Sequence, residues 1–262
     1  MSLCEDCIKG VRHEGTSEGK WETISGVESY IGTPSDEYNK SNLKVLLFLS
    51  DAFGPRLSNA QLLVDDFARN GIKTVAPDLF EKDGVPADLF ESDEKRKAFD
   101  IASWLARHSF TVTRLLLDKV IAGLKDQGVT EFAAVGYCYG GRLVFDLAIE
   151  NIITVSIGSH PSALKAPDDL EKYFSLSCAP LLLNTCVDEQ FPQSAQSQAD
   201  TIFGGGKFAP GYKREYFDGC THGFAVRGDM SNPKIKAGKE GAFGATVEWL
   251  YRYGFGPSGQ KV

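Results

Sequence analysis

EFAAVGYCYGGRLVFDLAIE, residues 131–150, decides how this chain is read. EFAAVGY (131–137) is apolar almost throughout, as a strand covered on both faces must be. GGRLVFDLAIE, in contrast, brings Leu143, Val144, Leu147 and Ala148 onto one side at helical spacing. The chain has only GYCYGG (136–141) in which to pass from strand to helix. Glycines two before and two after Cys138 let the two backbones approach closely, and the cysteine between them is forced into a strained turn. Its side chain is thereby thrust above the sheet. The helix begins within two residues, so its free N–H groups favour a thiolate and supply an oxyanion donor, the amide of Tyr139. Taken alone, the stretch could also be a buried, unreactive cysteine on a tight turn. It is neither a G-x-G-x-x-G nor a phosphate-binding loop, since no Lys-Ser or Lys-Thr pair follows.

Outward from this turn, hydrophobic runs alternate with helix-period segments from residue 43 onward, the pattern of a mainly parallel central sheet flanked by helices, an α/β fold. LKVLLFLS (43–50), IKTVAPDLF (72–80), ITVSIG (153–158), APLLLNTC (179–186) and YKREYF (212–217) read as strands. Segments 58–71, 93–107, 111–127, 194–204 and 239–254 read as helices, with Gly71 and Gly128 as stops. KWETISGVESYIG (20–32) alternates as an antiparallel edge hairpin does, and 81–94 and 160–176 read as loops that shape a pocket. No repeat or linker interrupts the pattern. The division expected is an extension over 1–18, one domain over 19–256 and a tail over 257–262.

Composition narrows the function classes. A 262-residue chain is long enough to bury a large core without disulfides. The formal net charge of −7 offers no positive field for nucleic acid or acidic lipid. No apolar leader or spanning segment is evident, so the reading is of a cytoplasmic protein with no nucleic-acid or membrane partner, as a monomer or homodimer. The six cysteines are scattered and read as reduced thiols. Cys4 and Cys7 form one C-x-x-C with His13 nearby, but no second pair completes a tetrahedral zinc site, so no metal is expected.

The order of residues along the chain turns the elbow into chemistry. Asp188 follows one strand in NTCVDEQFP, and His222 follows the last strand in DGCTHGF. Nucleophile, acid and base in that order, each beyond the carboxyl end of a strand, are what the α/β-hydrolase fold requires, here with cysteine where serine is usual. Both loops sit on the edge at which open parallel sheets bind ligands.

GYCYGGR, DEQFP (188–192), HGFAVRG (222–228) and SDAFG (50–54) together resemble the dienelactone hydrolase family, in particular its fungal branch, over nearly the whole chain from about residue 4 to 255. The resemblance implies a hydrolase, carboxymethylenebutenolidase-like, that opens an enol-lactone or ester with water and no cofactor through a cysteine acyl-enzyme. Residue by residue it casts Cys138 as nucleophile, His222 as base and Asp188 as its orienting acid. Tyr139 and Ala52 become the oxyanion donors. Asp51 falls where bacterial members carry a glutamate that holds the resting thiol neutral; the acid here is one methylene shorter. Arg227 matches the binder of a substrate carboxylate, five residues after the histidine rather than four, and Arg96 is the nearest counterpart of a second arginine. Arg142 reads as structural. His160, in GSHPSAL on the same sheet edge, either lines the pocket or bonds a loop.

Other classes share parts of the pattern. Glutamine-amidotransferase-like and peptidase thiol enzymes also carry G-x-C-x-G elbows, but they place a carboxylate two residues after the histidine, where this chain has H-G-F. A fungal tailoring hydrolase or thioesterase of secondary metabolism would use the same triad on a larger substrate. A non-catalytic binding module on this fold would be expected to have lost one of the three groups.

Overall fold

The computed structural model describes residues 9–35, 43–89 and 92–257; the Cys4 and Cys7 pair lies outside them. Its centre is an eight-stranded sheet built from β1 (Lys20–Ile24), β2 (Val27–Gly32), β3 (Lys44–Leu49), β4 (Thr74–Pro77), β5 (Glu131–Tyr137), β6 (Val155–Ser159), β7 (Leu181–Val187) and β8 (Tyr212–Thr221), in the order β1-β2-β4-β3-β5-β6-β7-β8. β1 and β2 form the expected antiparallel hairpin, turning at Ser25 (φ 46°) and Gly26 (φ 86°), and β2 joins β4 antiparallel. Two consecutive left-handed residues match the twist of the flanking strands, which favours a two-residue loop here. From β4 to β8 every pairing is parallel.

The helices are α1 (Ser58–Arg69), α2 (Asp93–Ala98), α3 (Ile101–Arg107), α4 (Phe110–Asp126), α5 (Tyr139–Ile149), α6 (Asp168–Leu176), α7 (Gln193–Phe203) and α8 (Pro233–Arg252). Strand residues alternate between two cores. Val45, Leu47 and Leu49 of β3 face the core that includes Leu143, Leu147 and Leu181, while Leu46 and Phe48 face the one that includes Phe67 and Trp249. Each such side chain, fully buried, contributes about 1.5–3 kcal/mol relative to exposure, and covering both faces explains why β3 and β5 read as unbroken apolar runs.

The structure departs from the sequence reading at four boundaries. The segment 93–107 is two helices, because the Asp100 side chain accepts the Ser103 N–H and caps a new start. The 160–176 loop ends in α6 at 168, whose first turn carries Asp168, Asp169 and Glu171, a charge that complements a helix N-terminus. α8 begins at Pro233 rather than 239, capped by Asn232 with proline in the first turn. β8 runs on to Thr221, past a register shift against β7 between Thr185 and Val187, immediately before Asp188. Such irregularities re-aim the side chains that follow.

Residues 9–18 lie against α1. The Arg12 N–H and Nε both donate to Asp66 at 2.6 Å, the Glu18 N–H donates to Asp65 at 2.7 Å, and Lys9 and Asn70 exchange two hydrogen bonds. Among the described residues no helix is long and apolar enough to cross a membrane.

Candidate active site

Cys138 stands between β5 and α5 with φ 50° and ψ −110°, a conformation L-residues rarely adopt. The glycines around it explain how the chain tolerates it. A Cβ on Gly136 would sit 2.4 Å from the Gly140 carbonyl oxygen, and one on Gly140 would sit 2.0 Å from that of Leu49. Neither position admits a side chain, since both obstacles are backbone. The turn is also stitched sideways to the end of β6. The Cys138 N–H donates to the Ser159 carbonyl at 3.2 Å, and the Ser162 N–H donates to the Cys138 carbonyl at 3.0 Å.

His222, just beyond β8, and Asp188, just beyond β7, come together as the order along the chain implied. His222 Nδ1 and Asp188 Oδ2 are 2.7 Å apart. The acid is buried, and the base is partly open, with a quarter of its side chain exposed. Burial works against charge on the His222 ring, but its hydrogen bond to Asp188, with the further influence of Cys138, outweighs it, and the ring is pushed up to about 10. With Nδ1 held by the carboxylate, the nitrogen left to meet the sulfur is Nε2.

Beyond β3, Asp51 opens a tight turn closed by the Gly54 N–H to the Asp51 carbonyl at 3.0 Å, and its Oδ1 accepts the Phe53 N–H at 3.1 Å. Its other oxygen takes Arg227 Nη1. The carboxyl is fully buried and burial raises it, against the pull of Arg227, the Phe53 amide and His222. The guanidinium lies 4.1 Å above the Phe53 ring. Thus Asp51, expected at the thiol, is engaged by Arg227, and the hydrogen-bond contact of the sulfur with a hydroxyl is to Ser162, Sγ to Oγ 3.7 Å. Ala52 is held in the same turn, its carbonyl accepting the Val85 N–H at 2.9 Å.

His160 does not line an open pocket. It is 1% exposed, its ring packs 5.0 Å from that of His222 and 5.6 Å from Phe224, and neither ring nitrogen has a hydrogen-bond partner. Burial, with the positive charges of His222 and Arg227 nearby, pushes it well below 6.5, so it is a neutral wall behind the base. Arg96 lies on the exposed α2 and pairs with Asp93. Arg142 is structural as expected, bridging Asp146 on its own helix and Asp169 on α6. The Tyr139 side chain anchors the first turn of α5: its hydroxyl donates to the His108 carbonyl at 2.7 Å and lies 2.8 Å from the Thr113 hydroxyl. Ser162 is the group that sequence reasoning missed. GSHPSAL carries no motif for it, and its contact with the sulfur depends on left-handed turns at His160 (φ 39°) and Ala163 (φ 58°).

A buried acid, a partly open base and a sulfur on a strained elbow converge at the carboxyl ends of β5, β7 and β8. The model of the dienelactone hydrolase family matches residues 27–254. The chain is 32% identical to "Hydrolase pyvD" of Aspergillus violaceofuscus over 94% of this chain and 95% of that protein. It is 30% identical to "Dienlactone hydrolase 1" of Gibberella moniliformis, covering 95% of this chain and 92% of that one. The crystal structure of dienelactone hydrolase from Anabaena variabilis superposes with a TM-score of 0.60 at 12% identity, covering 92% of this chain and 99% of that chain, a likeness of fold alone. With its α/β-hydrolase sheet and a family match across most of its length, the chain belongs to the dienelactone hydrolase family and is a hydrolase of that type.

Proposed function

We propose that the protein opens enol-lactones or activated esters through a thioester on Cys138. The observation that carries this is the 2.7 Å bond between Asp188 and His222, whose ring is raised to about 10 under the influence of Asp188 and Cys138. The sulfur, having given its proton to Nε2, attacks the carbonyl carbon, and the amides of Tyr139 and Ala52 receive the oxyanion. The C–O bond of the lactone then breaks, and the departing enolate takes the proton from the His222 imidazolium. Acylation also removes the sulfur's negative charge, one of the influences holding the ring protonated. A neutral imidazole is therefore available to take a proton from water as its oxygen attacks the thioester. The C–S bond breaks, the carboxylic acid leaves, and thiolate and imidazolium are restored.

Arg227 favours a substrate that bears a carboxylate, because a planar guanidinium fork matches it and the side chain is already placed beside the triad through Asp51. To take that carboxylate it shares or exchanges its bond to Asp51.

The reading is tested by titrating the protein with iodoacetamide while following hydrolysis of a p-nitrophenyl ester and of an enol-lactone. Activity is expected to fall in proportion to the alkylation of Cys138, read by peptide mass. Full alkylation of Cys138 with activity retained would exclude it as the nucleophile.

A further inference from the structure

The sulfur of Cys138 has a neighbour that neither the motif nor the triad accounts for. Ser162 is joined to Cys138 twice, by its N–H to the Cys138 carbonyl at 3.0 Å and by its hydroxyl to the sulfur at 3.7 Å. A third bond, from the Cys138 N–H to the Ser159 carbonyl, fixes the same loop to the same residue. The loop holds this shape against backbone preference, since His160 and Ala163 on either side of Ser162 are both in the left-handed region. Non-glycine residues stay there only where the surroundings over-determine them, and such positions gather at functional sites. Pro161 stiffens the segment and packs against the start of α5, where a Cβ on Gly141 would meet its Cβ at 2.6 Å.

We propose that the Ser162 hydroxyl is the resting partner of the nucleophilic sulfur, accepting the hydrogen bond of the thiol and donating one to the thiolate. It thereby sets the balance between the two forms. This rests on Cys138 being the nucleophile of the proposed reaction. A hydroxyl suits both states because it is donor and acceptor and needs only to rotate. The proton that leaves Sγ goes to His222 Nε2; no atom of Ser162 is exchanged. The charged and titratable groups around this pair are His222, with Asp188 behind it, the Asp51 and Arg227 ion pair, and neutral His160 against the His222 ring. Since Asp51 is occupied by Arg227, the group that meets the sulfur is an uncharged hydroxyl and not a carboxylate. The consequence is a thiol whose ionisation answers to a hydrogen bond rather than to a carboxylate's repulsion.

The test is the pH dependence of Cys138 alkylation by iodoacetamide, followed at that residue by peptide mass in the wild type, Ser162→Ala and Ser162→Thr. Loss of a hydrogen bond to a charged acceptor should move the midpoint of the rate curve upward by about 1–2 pH units in Ser162→Ala. Ser162→Thr, which keeps the hydroxyl, should return it close to the wild-type value. Thermal midpoints of the variants should match that of the wild type, since the backbone bond to Cys138 remains. A Ser162→Ala midpoint that stays in place or moves down would overturn the proposal. Because alkylation does not require turnover, the result stands apart from the assignment of the nucleophile. A shift in Ser162→Ala with undiminished turnover in Cys138→Ala would remove the catalytic reading and keep the pairing.

Discussion

Cys138→Ala is expected to lower turnover of an activated p-nitrophenyl ester by at least about 10⁴-fold, with the fold and thermal midpoint retained. The expectation of retained stability comes from the elbow. Its strain is carried by backbone, and the bonds that fix it, to Ser159 and from Ser162, are backbone bonds that alanine keeps. The sulfur's own hydrogen-bond contact is with the Ser162 hydroxyl, so its removal vacates a partly exposed position without opening the core. The size of the loss follows from the division of labour. The proposed oxyanion donors and binding groups would survive the substitution, while the proposed path through a thioester would be gone. A loss of tenfold or less would mean that water attacks the substrate directly and that the elbow serves only to bind.

Asp188→Asn should cost about 10²–10⁴-fold in turnover, by a different route. An amide in place of the carboxylate can still bond Nδ1, but it can also present its N–H and hold the wrong ring tautomer, leaving no free lone pair at Nε2 for the water. It also replaces the charged acceptor whose hydrogen bond, after burial, bears most on the ring, which the wild type holds up to about 10. This predicts a change in stability as well as rate. A histidine whose folded value lies above its unfolded value of about 6.5 contributes stability that is fully present below pH 6.5 and is lost as pH rises through about 10. The thermal midpoint of the wild type should therefore decline across that window more than that of Asp188→Asn, in which burial is left to oppose the charge. Parallel curves for the two proteins would show that the pair holds no charge in the resting enzyme.

Much of this arrangement was legible in the sequence because the deciding signals are local. GYCYGG specifies a strand-to-helix turn through the steric needs of Gly136 and Gly140, and the order Cys138, Asp188, His222 places each group beyond a strand that its apolar run identifies. What was not legible depends on contacts between distant segments. Asp51 and Arg227 were assigned separate tasks from separate motifs, yet they are 176 residues apart in the chain and meet as an ion pair. His160 reads like a pocket residue because it follows a strand on the functional edge, but its left-handed backbone turns the ring beneath His222 and away from solvent. Ser162 carries no pattern at all. The missed start of α8 has a similar origin: Lys234, Lys236 and Lys239 obscure the apolar period of the first two turns, although Lys239 is itself buried.

Whether the sulfur of Cys138 carries the acyl group can be read from a single turnover with enzyme in excess over a p-nitrophenyl ester, quenched in acid at successive times and mapped by peptide mass. An acyl group is expected on the peptide containing Cys138, appearing with the nitrophenolate and decaying as free acid forms. Free acid formed with no acyl group on that peptide at any time, or with one on another residue, would contradict it.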